Sequence, residues 1–230
     1  VLAQVAEYKK SPIGSDELEF NRYIIEAEKY FRLASKSGHI EAKFNIGMMH
    51  IIGLLENSSK IEAESLFNEA SDAGYTPAQL QLAIAIEKQM PRSQKSFELF
   101  LKCAQNGNAI ASYEVARKYD FGYGVTQDYS KAAEFYKLSI KHNQNINNAA
   151  ILSQFNLGML YHAGHGVICS LDEAYLRVNL ADILAKDFGS LPLKTKQEIS
   201  IMREKLAQDI GPSKINQFEN TKKDFRVFVD

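Results

Sequence analysis

The feature that most constrains this chain is that it repeats itself. A Gly, three residues, and an Ala that opens a new apolar segment occur as Gly38…Ala42, Gly74…Ala78 and Gly107…Ala111. The Ala positions lie 36 and then 33 residues apart. A period of that size is the mark of one small structural unit used several times, because such a unit cannot bury its apolar face alone.

A second phrase follows each Ala by four residues: a large apolar residue and then a small one. It reads Ile46-Gly47, Leu82-Ala83, Val115-Ala116 and Leu157-Gly158, the last in a copy led by Ser153. Four residues further come His50, Ile86, Tyr119 and Tyr161. Residues four apart share a helix face, so each copy opens with a helix. The small residue beside that face predicts the close approach of a neighbouring helix.

Each first helix is predicted to end in a Gly-containing turn. Copies three and four carry Gly122, Gly124-Val125 and Gly164, Gly166-Val167 at matching offsets. Copy one keeps Gly53 but has Leu55 at the second Gly position, and copy two has a shorter turn with Met90-Pro91. Glycines at these offsets predict positive φ and a helix C-cap. A second helix then begins at the capping boxes Ser59…Glu62 and Ser170…Glu173, or at the cap Asp128. Its body pairs two small residues seven apart around two bulky ones: Ala63/Ala70, Ser96/Cys103, Ala132/Ser139, and earlier Ala27/Ala34. The chain is therefore expected to be all-α, a stack of antiparallel helix hairpins.

These residues carry a family resemblance. The pattern is similar to the SEL-one-like repeat (SLR) of bacterial type, a relative of the tetratricopeptide repeat. Ala111, Val115-Ala116, Tyr119, Gly122, Gly124-Val125, Asp128, Lys131-Ala132 and Phe135-Tyr136 give the fullest match. The resemblance implies an α/α right-handed superhelix, a solenoid with a C-terminal helical cap. The expected division is N-terminal helices with a degenerate repeat in 1–41, repeats at 42–77, 78–110, 111–152 and 153–188, and capping helices in 189–230. The third repeat ends at Asn143 where Gly is expected and carries an insertion around 143–152. The ending resembles that of bacterial SLR proteins through Met202…Ala207 and Gly211-Pro212…Asn216. Thr195…Glu198 reads as a further capping box, and Pro212 as the first residue of a last helix.

The family implies a non-enzymatic scaffold or adaptor that binds a partner protein in its concave groove, in signalling, envelope or host contact. By analogy with the tetratricopeptide fold, the groove-facing positions lie two and one before the large apolar residue and two after it. They are Phe44, Asn45 and Met48; Leu80, Gln81 and Ile84; Tyr113, Glu114 and Arg117; and Phe155, Asn156 and Met159. Aromatics and Arg are common interface anchors, Met adapts to shape, and Asn or Gln pairs with peptide backbone. For Phe44, Leu80 and Phe155, packing on the next repeat is an equal expectation. For Asn45, Gln81, Asn156 and Arg117, groove exposure is the better one, because buried polar groups need partners.

Composition narrows the alternatives. With 27 Lys+Arg against 28 Asp+Glu, no basic field is available for nucleic acid. No apolar run is long enough for a membrane span. Two Cys argue against the cysteine-rich branch of the family, which the resemblance links to β-lactam or peptidoglycan chemistry. His162, His165, Cys169 and Asp172 are of types that suit zinc, but they fall in a repeat turn, and a solvated loop explains them as well. Cys103 sits where other copies have Ala or Ser, so it is expected to be buried packing. No catalytic residue, metal or cofactor is expected, and the partner is a protein bound by a monomer. The start at Val1 is read as a truncation or a mature form, which leaves the compartment open. Two other readings stand beside it: an envelope enzyme of that cysteine-rich branch, which the missing Cys pairs disfavour, and a regulatory repeat domain of a larger chain.

Overall fold

The computed structural model describes residues 16–142, 147–188 and 190–221. They form α-helices, with no strand among the described residues. In order these are α1 (Asp16–Lys36), α2 (Ile40–Ile51), α3 (Lys60–Asp72), α4 (Thr76–Gln89), α5 (Gln94–Gln105), α6 (Ala109–Phe121), α7 (Tyr129–Lys141), α8 (Asn148–Ala163), α9 (Leu171–Asp187), α10 (Leu193–Ile210) and α11 (Pro212–Thr221). The chain divides into two compact units, residues 1–85 and 86–230, so the boundary falls inside α4.

In the first unit, α1 packs on α2 and α2 on α3. Ile24, Met49 and Leu55 form a core there, flanked by Phe20, Phe31 and Leu54. Ser59 caps α3 by accepting from the Glu62 N–H at 3.3 Å. The other half of the predicted box does not form. The Ser59 N–H donates instead to Nδ1 of His50, at 3.2 Å. In the second unit the equivalent N–H groups of Asp128 and Ser170 donate to the carbonyls of Tyr119 and Tyr161. Thus one donor reaches back nine residues in copies one, three and four, and copy one substitutes an imidazole for a carbonyl, while in copy two the Ser93 N–H donates to Met90, three residues back.

In the second unit each helix from α5 to α11 packs on the next, and α6 also packs on α8. The contact between two successive first helices marks hairpins that stack on one another. Two cores result. One is built on Tyr136, Ile140, Leu157 and Leu160. The other, on Ile151, Tyr175, Val178, Ile199 and Leu206, holds α8 to α11 together. Asp182 of α9 is buried and pairs with Arg203 of α10 at 3.0 Å and with Lys186 at 2.6 Å.

The small residues behave as the sequence predicts. A Cβ added at Gly158 would come within 2.8 Å of Val178 and 3.1 Å of the Ala174 carbonyl, so α8 and α9 meet at the glycine. The second turn glycine serves a different contact. At Gly166, with φ +68°, a Cβ would fall 2.3 Å from the Tyr129 carbonyl carbon. The turn of the fourth copy thereby rests on the start of α7 in the third. The first turn glycines, Gly122 and Gly164, are left-handed C-caps. In copy two Arg92 takes the positive φ, at 72°.

Two expectations need correction or limits. Thr195 does not cap a helix: α10 begins at Leu193 after Pro192, which places Thr195 inside its first turn. Proline ahead of the run sets φ for helix entry and starts the helix earlier than the Thr signal. Asn143, the expected repeat-closing position, lies outside the described residues, as do residues 1–15. The rest of the insertion lengthens α8, which begins at Asn148, five residues before Ser153.

Candidate functional site

The predicted positions fall on the first helices. In the first unit Phe44, Asn45 and Met48 of α2 are half-buried, as are Gln81 and Ile84 of α4, while Leu80 is buried at 9% exposure. Phe44 lies 5.5 Å from the Phe67 ring and 5.4 Å from that of Tyr75, so much of its surface is spent within the unit.

In the second unit the structure gathers Tyr113, Glu114, Arg117 and Asn156. Local capping sets their helices: Asn108 accepts from the Ala111 N–H at 2.9 Å, and Asn147 from the Ala150 N–H at 3.1 Å. Arg117 binds Glu114 at 3.1 Å and lies over the Tyr113 ring at 5.7 Å. The Tyr113 ring is 6.2 Å from that of Tyr136 on α7. Tyr136 is fully buried. Its hydroxyl donates to Asp120 Oδ2 at 2.9 Å and accepts from Asn156 Nδ2 at 3.0 Å. One phenol therefore connects three helices and fixes the amide of Asn156. Phe155 and Met159 are half-buried beside it on α8, with Phe155 against the core of α8 to α11.

Burial dominates the electrostatics of the cluster. Burial pushes the Tyr136 phenol far up, and the adjacent Asp120 charge adds to the rise. Burial takes Tyr113 up to about 12, with Arg117 acting against it. Both phenols thus keep their protons at neutral pH, and neither is poised as a base. Burial also raises Asp120, partly offset by the Tyr136 hydrogen bond. Glu114 is raised by burial more than Arg117 lowers it.

A pocket of about 480 Å³ opens beside this cluster. Its walls include Ile110, Tyr113 and Glu114 of α6, Asn148 and Leu152 of α8, and Phe188 at the end of α9. Tyr113 and Glu114 were expected at the groove. Ile110 and Leu152 were not, since each lies one residue before the leading Ala or Ser.

Sequence reasoning also missed a buried ion pair. Lys118, only 2% exposed, sits where α2 has Met49 and α8 has Leu160. Its ammonium meets Glu87 Oε2 at 2.6 Å, and Ser96 donates to the same oxygen. Burial works to raise the Glu87 carboxyl, but Lys118 and Ser96 outweigh it and hold it below its usual range. Glu87 and Asp120 occupy one place in the repeat, five residues after the large apolar residue. Glu87 bonds its own second helix and the next first helix directly, whereas Asp120 bonds Tyr136 of its own second helix, whose hydroxyl in turn takes Asn156 of the next first helix. A lysine at a core position was the available signal, although its partner is 31 residues away.

The chemical alternatives are dispersed. Cys103 is fully buried, as expected, and burial takes its thiol up to about 11. The exposed Cys169 thiol donates to the His162 carbonyl at 3.6 Å. The His165 ring stacks on Tyr129 at 4.4 Å, and Asp172 binds Lys214 at 2.6 Å. Among the described residues no three His, Cys, Asp or Glu side chains gather to hold a metal. No described helix is long and apolar enough to cross a membrane.

Comparison with known proteins places this architecture. The Sel1 repeat model matches residues 24–39, 40–75, 109–143 and 151–175. Chitin synthase regulatory factor 1 of Schizosaccharomyces pombe is 25% identical over 128 residues, 53% of this chain but 28% of that protein's length. A Sel1 repeat protein from Oxalobacter formigenes superposes with a TM-score of 0.60 at 19% identity, over 78% of each chain. A protective antigen of uropathogenic Escherichia coli with an SLR fold gives a TM-score of 0.44 at 18% identity, over 84% of this chain and 50% of that one. Sel1 repeats generally serve protein–protein interaction, and their fold is typically a non-catalytic scaffold. The chain thus carries Sel1-like repeats over the matched residues, on a fold similar to that of a solved Sel1 repeat protein.

Proposed function

We propose that the chain is a binding module whose α6/α8 face takes a segment of a partner protein. The observation that carries this reading is the cluster of Tyr113, Glu114, Arg117 and Asn156, held in place by Tyr136 and bordered by an open pocket. Aromatic, guanidinium and amide groups already fixed on one face lose little entropy on binding, and Tyr113 and Glu114 of this cluster also line the pocket. Phe155 and Met159 extend the face along α8. Phe44, Asn45, Met48, Gln81 and Ile84 supply further contacts on the first unit, with Leu80 contributing least. The repeats behind these faces are taken as 42–77, 78–110, 111–152 and 153–188.

The test is affinity capture from the native source with wild type and with Arg117→Ala/Asn156→Ala. The double variant should keep its helical circular dichroism and lose the captured partner. Retained capture by a folded double variant would move the site elsewhere.

A second reading is favoured by the match to part of a regulatory factor: the module belongs to a longer regulatory protein. Sequencing the full transcript tests it, since an appended domain supports the reading and a transcript that encodes the repeats alone removes it.

A further inference from the structure

The pocket beside α6 and α8 has a defined charge character. Two of its walls, Ile110 and Leu152, are aliphatic, and two, Tyr113 and Phe188, are aromatic. Phe188 is 63% exposed. Tyr113 keeps its proton at neutral pH, so Glu114 is the charged group among the described lining residues.

Glu114 has one cation in direct contact. Arg117 meets it with one nitrogen at 3.1 Å while the guanidinium leans over Tyr113. Even so, burial keeps the carboxyl raised, with Glu87 adding repulsion and Lys118 opposing it. A second cation would relieve a carboxylate in that state. The first turns of α6 and α8 also border the pocket and favour an anion. They are already capped by Asn108 and Asn147, and such an end carries about half a charge. An incoming carboxylate would face the Glu114 carboxyl, a second acid, whereas an incoming cation would face an acid, so the acid sets the preference.

We propose that this pocket receives one cationic side chain, arginine or lysine, from the bound segment, with its stem on the apolar walls and its head at Glu114. Long basic side chains combine an aliphatic stem with a charged tip, which matches this lining. The proposal rests on the α6/α8 face being the binding face.

The test is an NMR titration of the full chain with capped alanine pentapeptides carrying one central arginine, lysine, citrulline or glutamate. The arginine or lysine peptide should shift the amide resonances of Tyr113, Asn148 and Phe188 saturably, and the neutral and acidic peptides should not. Glu114→Gln should weaken that binding by about tenfold. Phe188→Ala, which leaves the charge in place, should weaken it a few-fold and serves if Glu114→Gln does not fold. No saturable shift with either basic peptide, equal shifts with citrulline, or undiminished binding in folded Glu114→Gln overturns the proposal. Partner capture that survives Glu114→Gln but is lost in Arg117→Ala/Asn156→Ala would leave the binding face standing and remove the cation seat.

Discussion

Three residues after the large apolar residue, α2 places Met49 and α6 places Lys118, and both are buried. In α2 the thioether joins Ile24 and Leu55 in a hydrocarbon core. In α6 the ammonium is matched by Glu87, which also takes Ser96. The repeat thus dictates which positions are interior and leaves open what fills them. A charged residue at such a position requires a partner, because an unpaired buried charge is costly.

The most direct way to break the comparison is to remove that partner. Glu87→Ala should cost about 2–3 kcal/mol in urea unfolding, somewhat below a fully enclosed pair because Glu87 is partly exposed. Lys118→Met combined with Glu87→Gln gives α6 the residue of α2 and should return stability to within about 1 kcal/mol of wild type. If Glu87→Ala alone leaves the midpoint unchanged, the ion pair is not what makes Lys118 tolerable.

A smaller effect separates two kinds of glycine. Gly166 needs both its positive φ and the absence of a side chain against Tyr129, whereas Gly38, at φ +88°, has nothing within 4 Å. Gly166→Ala should cost about 2 kcal/mol or more, and Gly38→Ala about 1 kcal/mol, the conformational term alone. Equal melting temperatures for the two would deny the turn-to-helix contact its part in stacking the third and fourth copies.

Much of this was legible in the sequence, for a physical reason: the repeat register is a local property. The C-caps Gly122 and Gly164 and the N-caps Ser59, Asp128 and Ser170 depend on neighbours within a turn or two, and the burial of Cys103 followed from its place in the repeat. Tyr136 was legible only as a bulky core residue, since its link to Asp120 and Asn156 joins separate helices. The pocket was not legible. Its second wall comes from the N-terminal extension of α8 within the insertion, and Leu152 falls outside the register that placed the other groove positions. Thr195 misled because a capping box is also an ordinary first-turn sequence once a proline starts the helix.

Glu87 and Asp120 allow the finest test, because they hold one place in the repeat and their surroundings shift the two carboxyls in opposite directions. Glu87 is lowered by Lys118 and Ser96, so its contribution is complete above the ordinary carboxyl range and is lost as pH falls through its folded value. Asp120 is raised by burial, despite Tyr136, His165 and Arg117, so its ionisation opposes folding once pH rises through its folded value. Glu87→Gln should therefore destabilise at pH 7, with the deficit shrinking in acid. Asp120→Asn can still accept from Tyr136 and should stabilise at pH 7 by under about 1 kcal/mol, with the gain fading in acid. Urea midpoints from pH 7 down to pH 3.5 measure both. If the two variants shift stability in the same direction at pH 7, burial and pairing do not divide between the two acids in this way.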